Sequence, residues 1–369
     1  MKRRAYGPSL YYASDKNIFD ALNQHKVDAV TVTDLFRRRN TIVSAKTHRD
    51  DLAKYFARLM HDYQDHQAIA RRLGIAPRRE RITYMDVAGI REVDDIKAAV
   101  EQLKQELAKT GEVIQVEGDG DNLSIHVQYS TVDYKVSEFA QVQIRDGTVD
   151  FIRSADGYIV RNTQNEYVND VRDTLLAKLE KASGAALDKV SVSLFDIPEP
   201  KLRSKFFHEL ITKLPGFTHR DVTAAYVYKA KPADDADSEE TDNSLGSDPD
   251  THVERVQLRG KGVSRSELLK ELLEVDDYYI TKIAWTVSEN LGDGHYFDIE
   301  AAFTEPEACT GFSFILSGVC ELEDGVVSSR RRAPSKSEIA AISQVIESKS
   351  RELVAQMRDE YSKLNAGGA

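Results

Sequence analysis

Apolar positions recur at helical spacing through the first eighty residues and again near residue 100. The period then changes to the two-residue alternation of strands. Ile18, Leu22 and Val27 form a weak stripe, and Leu52, Tyr55, Phe56, Leu59 and Tyr63 a stronger one at i, i+3, i+4, i+7 and i+11. Between them, the stretch from Val32 to Lys46 predicts a short helix ending at Asn40 and then an extended segment. Thr47 followed by Asp50 reads as a variant capping box that opens the second helix. Leu73-Gly74-Ile75-Ala76-Pro77 reads as a helix stop. An amphipathic helix is expected from Asp94 to Lys109 on Ile96, Val100, Leu103 and Leu107.

Strand patterns follow. Val113–Val116 and Leu123–Val127 flank Gly118-Asp119-Gly120-Asp121-Asn122, the chemistry of a turn. A second hairpin is predicted with Ala140–Ile144 and Val149–Ile152 joined at Asp146-Gly147. A helix over Asn165–Lys181 carries Tyr167, Val168, Val171, Leu175 and Leu179 on one face. Next come a strand at Val190–Phe195, a helix at Leu202–Leu214 and a strand at Val222–Tyr228. The same order repeats at Val253–Leu258, Ser264–Leu273 and Tyr279–Val287. Two such βαβ halves in tandem give βαββαβ, the ferredoxin-like arrangement. Strands at His295–Phe303 and Thr310–Leu322 and a helix from Ser337 to Leu364 complete the chain. The expected class is α+β: a helical N-terminal domain over 1–82, an α+β domain over 83–186, and a ferredoxin-like α+β domain over 187–369.

Charge divides the chain unevenly. Residues 1–81 hold 17 Lys and Arg against nine Asp and Glu, leaving 33 against 52 for residues 82–369, net charges of +8 and −19. The stretch 232–250 holds eight acids and no base, with so little to bury that a disordered excursion is expected there. A basic head on an acidic body points to a polyanionic partner. The first residues lack an apolar signal core, and no run approaches a membrane span, so a cytoplasmic protein without membrane contact is expected. Cys309 and Cys320 fit neither a disulfide framework nor a metal site and are expected to be reduced, on neighbouring strands.

Helix, extended connector and helix, with basic residues at the junction, resemble the SAP-like helix-extension-helix module over about residues 30–60. That resemblance implies DNA binding, with Arg38, Arg39, Ser44, Lys46 and Arg49 as the matching phosphate-facing residues. The chain departs from the family's usual pattern in placing Asn40 where Gly is common and Tyr55-Phe56 where Arg-Leu is expected. Asn40 tolerates the left-handed conformation that such a junction needs. Independently of the resemblance, Arg37, Arg71, Arg72, Arg78, Arg79 and Arg81 add charge able to release counterions from a phosphate backbone.

The two aligned helices of the repeat begin near Arg203 and Arg265, a candidate secondary anion site. Trp285 and Tyr279 alternate along one strand and are expected to share a face as core residues. No glycine-rich phosphate loop, nucleophile elbow or zinc-protease motif is present. Asp298 and Glu300 are the nearest approach to a metal-binding carboxylate pair, without a suitably placed Lys. No cofactor and no metal are expected. The reading is a non-enzymatic nucleic-acid-binding protein, of DNA in preference to RNA. The alternatives are a complex subunit whose head grips an acidic protein, with self-association included, and a metal-dependent nuclease.

Overall fold

A computed structural model describes residues 14–23, 27, 29–62, 65–66, 69, 80–108, 112–132, 134, 142–230, 253–275, 277–290, 294–323 and 326–367. The clusters at Lys2–Arg4, Arg71–Arg72 and Arg78–Arg79, the stop at Leu73–Pro77, Tyr63 and the acidic stretch 232–250 lie outside the described residues. The fold is α+β, and the chain forms two compact units, each assembled from separated stretches. The first takes residues 1–78, 91–150 and 167–184; the second takes 79–90, 151–166 and 185–369.

The first unit opens with three short helices, α1 (Asp15–Leu22), α2 (Ala29–Arg38) and α3 (Arg49–Ala57). Ser14 and Asn17 close a reciprocal capping box on α1. Ile18, Leu22, Val27, Leu35, Phe36, Leu52, Phe56 and Ile69 share one small core. Further along, α4 (Val93–Leu107) buries Ile96, Val100, Leu103 and Leu107, and α5 (Glu166–Ser183) buries Tyr167, Val168, Val171, Leu175 and Leu179. Both helices carry the expected stripes. Strands β2 (Val113–Asp119) and β3 (Asn122–Val132) pair antiparallel with Asp119 opposite Asn122, so Gly120 and Asp121 make the turn. Gly120, at φ +60°, supplies the left-handed residue such a tight hairpin needs.

The hairpin expected at Asp146-Gly147 is absent; β4 runs unbroken from Val142 to Ser154. Gly147 answers a packing demand instead: a Cβ there would stand 2.4 Å from Cγ2 of Val168 on α5. The chain turns one Asp-Gly pair later. Gly157 starts β5 (Gly157–Thr163), and a Cβ on it would meet the Val87 carbonyl at 2.3 Å.

The second unit is an antiparallel sheet in the order β5-β1-β11-β10-β9-β7-β8. Its strands are β1 (Ile82–Ala88), β7 (Phe217–Tyr228), β8 (Arg255–Arg259), β9 (Tyr279–Glu289), β10 (Tyr296–Glu305) and β11 (Thr310–Glu323). A short strand β6 (Asp188–Ser191) pairs with β1, and β12 (Val326–Arg332) pairs with β11. Helices α6 (Pro200–Thr212), α7 (Glu267–Glu274) and α8 (Lys336–Gly367) supply the other half of the core. Phe206, Phe207, Leu269, Ile346 and Met357 pack there with Trp285, Phe297, Phe303, Phe312 and Phe314 of the sheet. Trp285 and Tyr279 are both buried in it, as their shared face requires.

The β-α-β-β-α-β order along the chain does not produce ferredoxin-like wiring. Strand β7 lies between β8 and β9, antiparallel to both, and β6 joins β1. The segment read as Val190–Phe195 leaves the sheet after Ser191, because Val192 and Leu194 turn into the core while Phe195 stays exposed. Cys309 sits at φ +48° in the β10–β11 turn, not on a strand, and its thiol donates to the Pro306 carbonyl; burial pushes that thiol up to about 11.

Helix α8 is fastened by a buried ion pair. Arg161 on β5 donates twice to Glu347, at 2.6 and 2.9 Å, and the Glu347 side chain is 1% exposed. Removing one member leaves a buried charge uncompensated. Glu347→Ala is expected to cost about 3–5 kcal/mol in a urea unfolding experiment, whereas Arg161→Met with Glu347→Leu should recover most of that loss.

Candidate functional site

The segment of greatest interest is the α2–α3 junction. Helix α2 ends as its sequence requires: Asn40 adopts φ +55°, the Thr41 amide returns to the Phe36 carbonyl at 3.0 Å, and residues 41–44 run without regular structure. Helix α3 starts two residues later than Thr47, with His48 as its cap and no side-chain capping bond. Thr47 instead donates its amide to the Ser44 carbonyl in the turn before the helix. Phe36 lies edge-on to Phe56 at 5.1 Å and stacks with Tyr55 at 6.0 Å, so the two helices are locked at this junction.

The basic residues proposed from sequence separate into two populations. Arg37, Arg38 and Lys46 are exposed. Arg37 and Lys46 have no ion-pair partner among the described residues, and Arg38 reaches only Asp34 one turn back, at 3.3 Å. Ser44 is exposed, its hydroxyl accepting the Lys46 amide at 3.2 Å. Arg39 and Arg49 point inward. Arg39 bonds the Asp65 carboxylate, contacts Nδ1 of His61 at 3.2 Å and covers the Phe56 ring at 5.1 Å. Arg49 donates to the Leu22 carbonyl at 2.9 Å, closing the end of α1. These two are engaged in contacts within the module.

Arg81 belongs to the second unit, where it bonds the Glu300 carboxylate and Ser313. Lys282 completes that cluster, 2.9 Å from Glu300. The anion site expected at Arg203 and Arg265 does not form. Arg203 is 6% exposed, donates to the Ile197 and Glu307 carbonyls at 2.8 Å each, and lies over Tyr279. Arg265 is exposed in a short 3-10 turn, Val263–Arg265, and α7 starts after Ser266 without a side-chain cap. Sequence similarity of the two helices therefore does not carry Arg203 and Arg265 into equivalent places.

The carboxylates proposed for metal are neutralised. Asp298 accepts from Thr286 at 2.8 Å and pairs with Arg331 at 2.9 Å, while Glu300 holds Arg81 and Lys282. Among the described residues no group of three or more His, Cys, Asp or Glu is placed to hold a metal ion. No described helix is long and apolar enough to cross a membrane.

Sequence reasoning passed over two cations of the junction. Lys54 on α3 and Arg58, the residue that caps its C-terminal end, are exposed without an ion-pair partner among the described residues. Tyr55, assigned from its spacing to the apolar stripe, is 60% exposed beside them. Their i, i+4 spacing was the available signal: two cations flanking an aromatic residue on an outer helical face. No protein-family profile matches the chain, and no curated protein matches it in sequence.

His61 makes the module sensitive to pH. Its side chain is 6% exposed, and burial first, then the Arg39 guanidinium, lowers its pKa below the ordinary 6.5. The fold thus favours the neutral ring, and protonation opposes it. The contribution is complete above the unfolded value and is lost as pH falls below about 6.5. Hydrogen-exchange protection across residues 49–57, corrected for intrinsic rates, should fall between pH 7 and 5, and His61→Gln should flatten that dependence.

Proposed function

We propose that this protein binds nucleic acid, DNA in preference to RNA, through the α2–extension–α3 module, without catalysing a reaction. The observation that carries the reading is an outer surface of exposed cations on an internally fixed scaffold. Arg37 and Lys46 lie on either side of the Asn40 turn, and Lys54 on α3 and Arg58 at its C-terminal cap follow, all without an ion pair to a carboxylate among the described residues. Exposed cations lose little hydration on meeting phosphate and release the counterions condensed on it. The SAP-like resemblance supports the same assignment. Asn40 adopts the left-handed turn in place of the family's Gly, and Tyr55 adds an aromatic surface beside the charges.

A second reading has one observation in its favour. Ile42 and Met60 are almost wholly exposed, which suits an acidic protein partner with apolar contacts of its own. A DNA duplex and an acidic polypeptide separate the two when each is mixed with the full chain on a sizing column.

Replacing Arg37, Lys46 and Lys54 by Ala in the full chain is expected to weaken duplex binding at least tenfold at low salt. The slope of log affinity against log salt should fall by about 2–3, close to one unit for each phosphate contact removed. Arg39→Ala should instead lower the module's stability. Wild-type binding that does not respond to salt would remove the proposal.

A further inference from the structure

Many basic side chains of the second unit are matched to carboxylates. Arg161 has Glu347, Arg331 has Asp298, Arg332 has Glu338, Arg351 has Asp86 and Arg358 has Asp196. One edge of its sheet gathers cations without such a match. Strand β8 ends the sheet order and pairs with β7 from Ala224↔Arg259 to Tyr228↔Arg255. Its alternation is strict: Val256 and Leu258 pack against the core, while Arg255, Gln257 and Arg259 are exposed. The side chain of Gln257 donates to the Tyr226 hydroxyl at 2.9 Å, which fixes this row against its neighbour strand.

The chain then turns through Gly260-Lys261-Gly262. Gly260 donates its amide to the Thr223 carbonyl at 3.1 Å, and Gly262 donates its amide to the Asp221 carboxylate at 2.9 and 3.2 Å. Both glycines have positive φ, +145° and +71°, and a side chain at Gly260 would meet no atom within 4 Å. The loop is thus pinned to β7 by its backbone and open on its outer side. Val263 is buried beneath it, and Lys261, Ser264 and Arg265 face solvent. Arg265 lies across the turn, its guanidinium 3.7 Å from the Cβ position of Gly262.

Arg255, Arg259, Lys261 and Arg265 have no ion pair with a carboxylate among the described residues. Arg255 rests over the Tyr228 ring at 5.8 Å, and the nearby Asp221 already accepts the Gly262 amide. Four like charges held on eleven consecutive positions repel one another, a cost that an incoming counter-charge removes. Their layout selects the kind of anion. Alternate strand residues stand about 6.8 Å apart, and the five residues of β8 cover about 17 Å before the turn adds two more cations. A single small anion engages one end of such a row, whereas a linear polyanion engages all of it. Arginine adds planar paired donors suited to phosphate oxygens.

We infer that β8 and the 259–265 turn form a second surface for the phosphodiester backbone of nucleic acid. The inference rests on the reading of this chain as a nucleic-acid binder, but on residues of the other unit. The full-length chain with Arg259→Ala, Lys261→Ala and Arg265→Ala is to be titrated with a DNA duplex across a salt series. The Arg37, Lys46 and Lys54 triple variant runs alongside it. Loss of tenfold or more in affinity, with a slope shallower by about 2–3, is expected for the turn variant. The charge-preserving set Arg259→Lys, Lys261→Arg and Arg265→Lys should stay within a few-fold of wild type.

An unchanged slope in the turn variant, with a reduced slope in the helical variant, overturns this inference and leaves the helical reading standing. The reverse pattern overturns the helical reading and supports the edge. Absence of duplex binding by the wild-type chain overturns both. Competition by polyglutamate as effective as competition by DNA of equal charge overturns the assignment to phosphate.

Discussion

Strand β1 is the element on which the second unit depends. Its seven residues pair with β5 along their whole length on one side. On the other side it meets two partners in succession, β11 at Ile82 and β6 from Met85 to Ala88. Its side chains extend the same role. The Tyr84 hydroxyl lies 2.9 Å from the Glu347 carbonyl and 2.7 Å from Oγ of Ser350 on α8, and Asp86 pairs with Arg351 one turn further along that helix. Arg161, opposite Tyr84 in register, brings the buried pair with Glu347 to the same helix. Sheet and helix are therefore joined through one short strand by hydrogen bonds with few alternative partners. A core of phenylalanines alone would fix their distance without fixing their register.

Charge in this protein has two uses that a residue count cannot separate. Arg39, Arg49, Arg81 and Arg203 satisfy carbonyls and carboxylates of their own unit. Arg37, Lys46, Lys54 and Arg58 do not, and neither do the cations of β8 and its turn. The net +8 of the first 81 residues thus overstates the charge open to a ligand there, and the −19 of the remainder conceals a basic edge. Binding energy follows the exposed, unmatched charges and not the totals.

How much of this was legible in the sequence depends on the signal. Helices α4, α5 and α8 carry stripes of period 3.6, long enough to be read from spacing alone. The β2–β3 hairpin carried both alternation and turn residues, and Asn40 marked the end of α2 by its tolerance of positive φ. Strand β1 gave no such signal, because contacts on both edges bury Tyr84 beside Thr83 and break its alternation. Asp146-Gly147 looked like a turn since the approach of Val168, which demands that glycine, is invisible in a linear chain. Strand β12 was hidden in an arginine run whose members Arg331 and Arg332 find their partners on β10 and β11, far away in sequence or not marked by any local pattern. The junction of α2 and α3 was found, but the division of its arginines into structural and exposed required burial to be known.

The place of β1 in the chain also has a consequence for biosynthesis. It leaves the ribosome early, whereas β11 follows it by more than two hundred residues and α8 comes last. At 5–20 residues per second, β1 waits on the order of 10–50 s for β11, which meets it at Ile82, and for the helix that anchors its tyrosine. During that interval it can acquire β5 on one side and the short β6 along Met85–Ala88 on the other, so the edge is left unfinished towards Ile82. A nascent chain of this design is most exposed to aberrant pairing in the middle of its synthesis, so translation speed through residues 164–310 bears directly on its yield of folded protein.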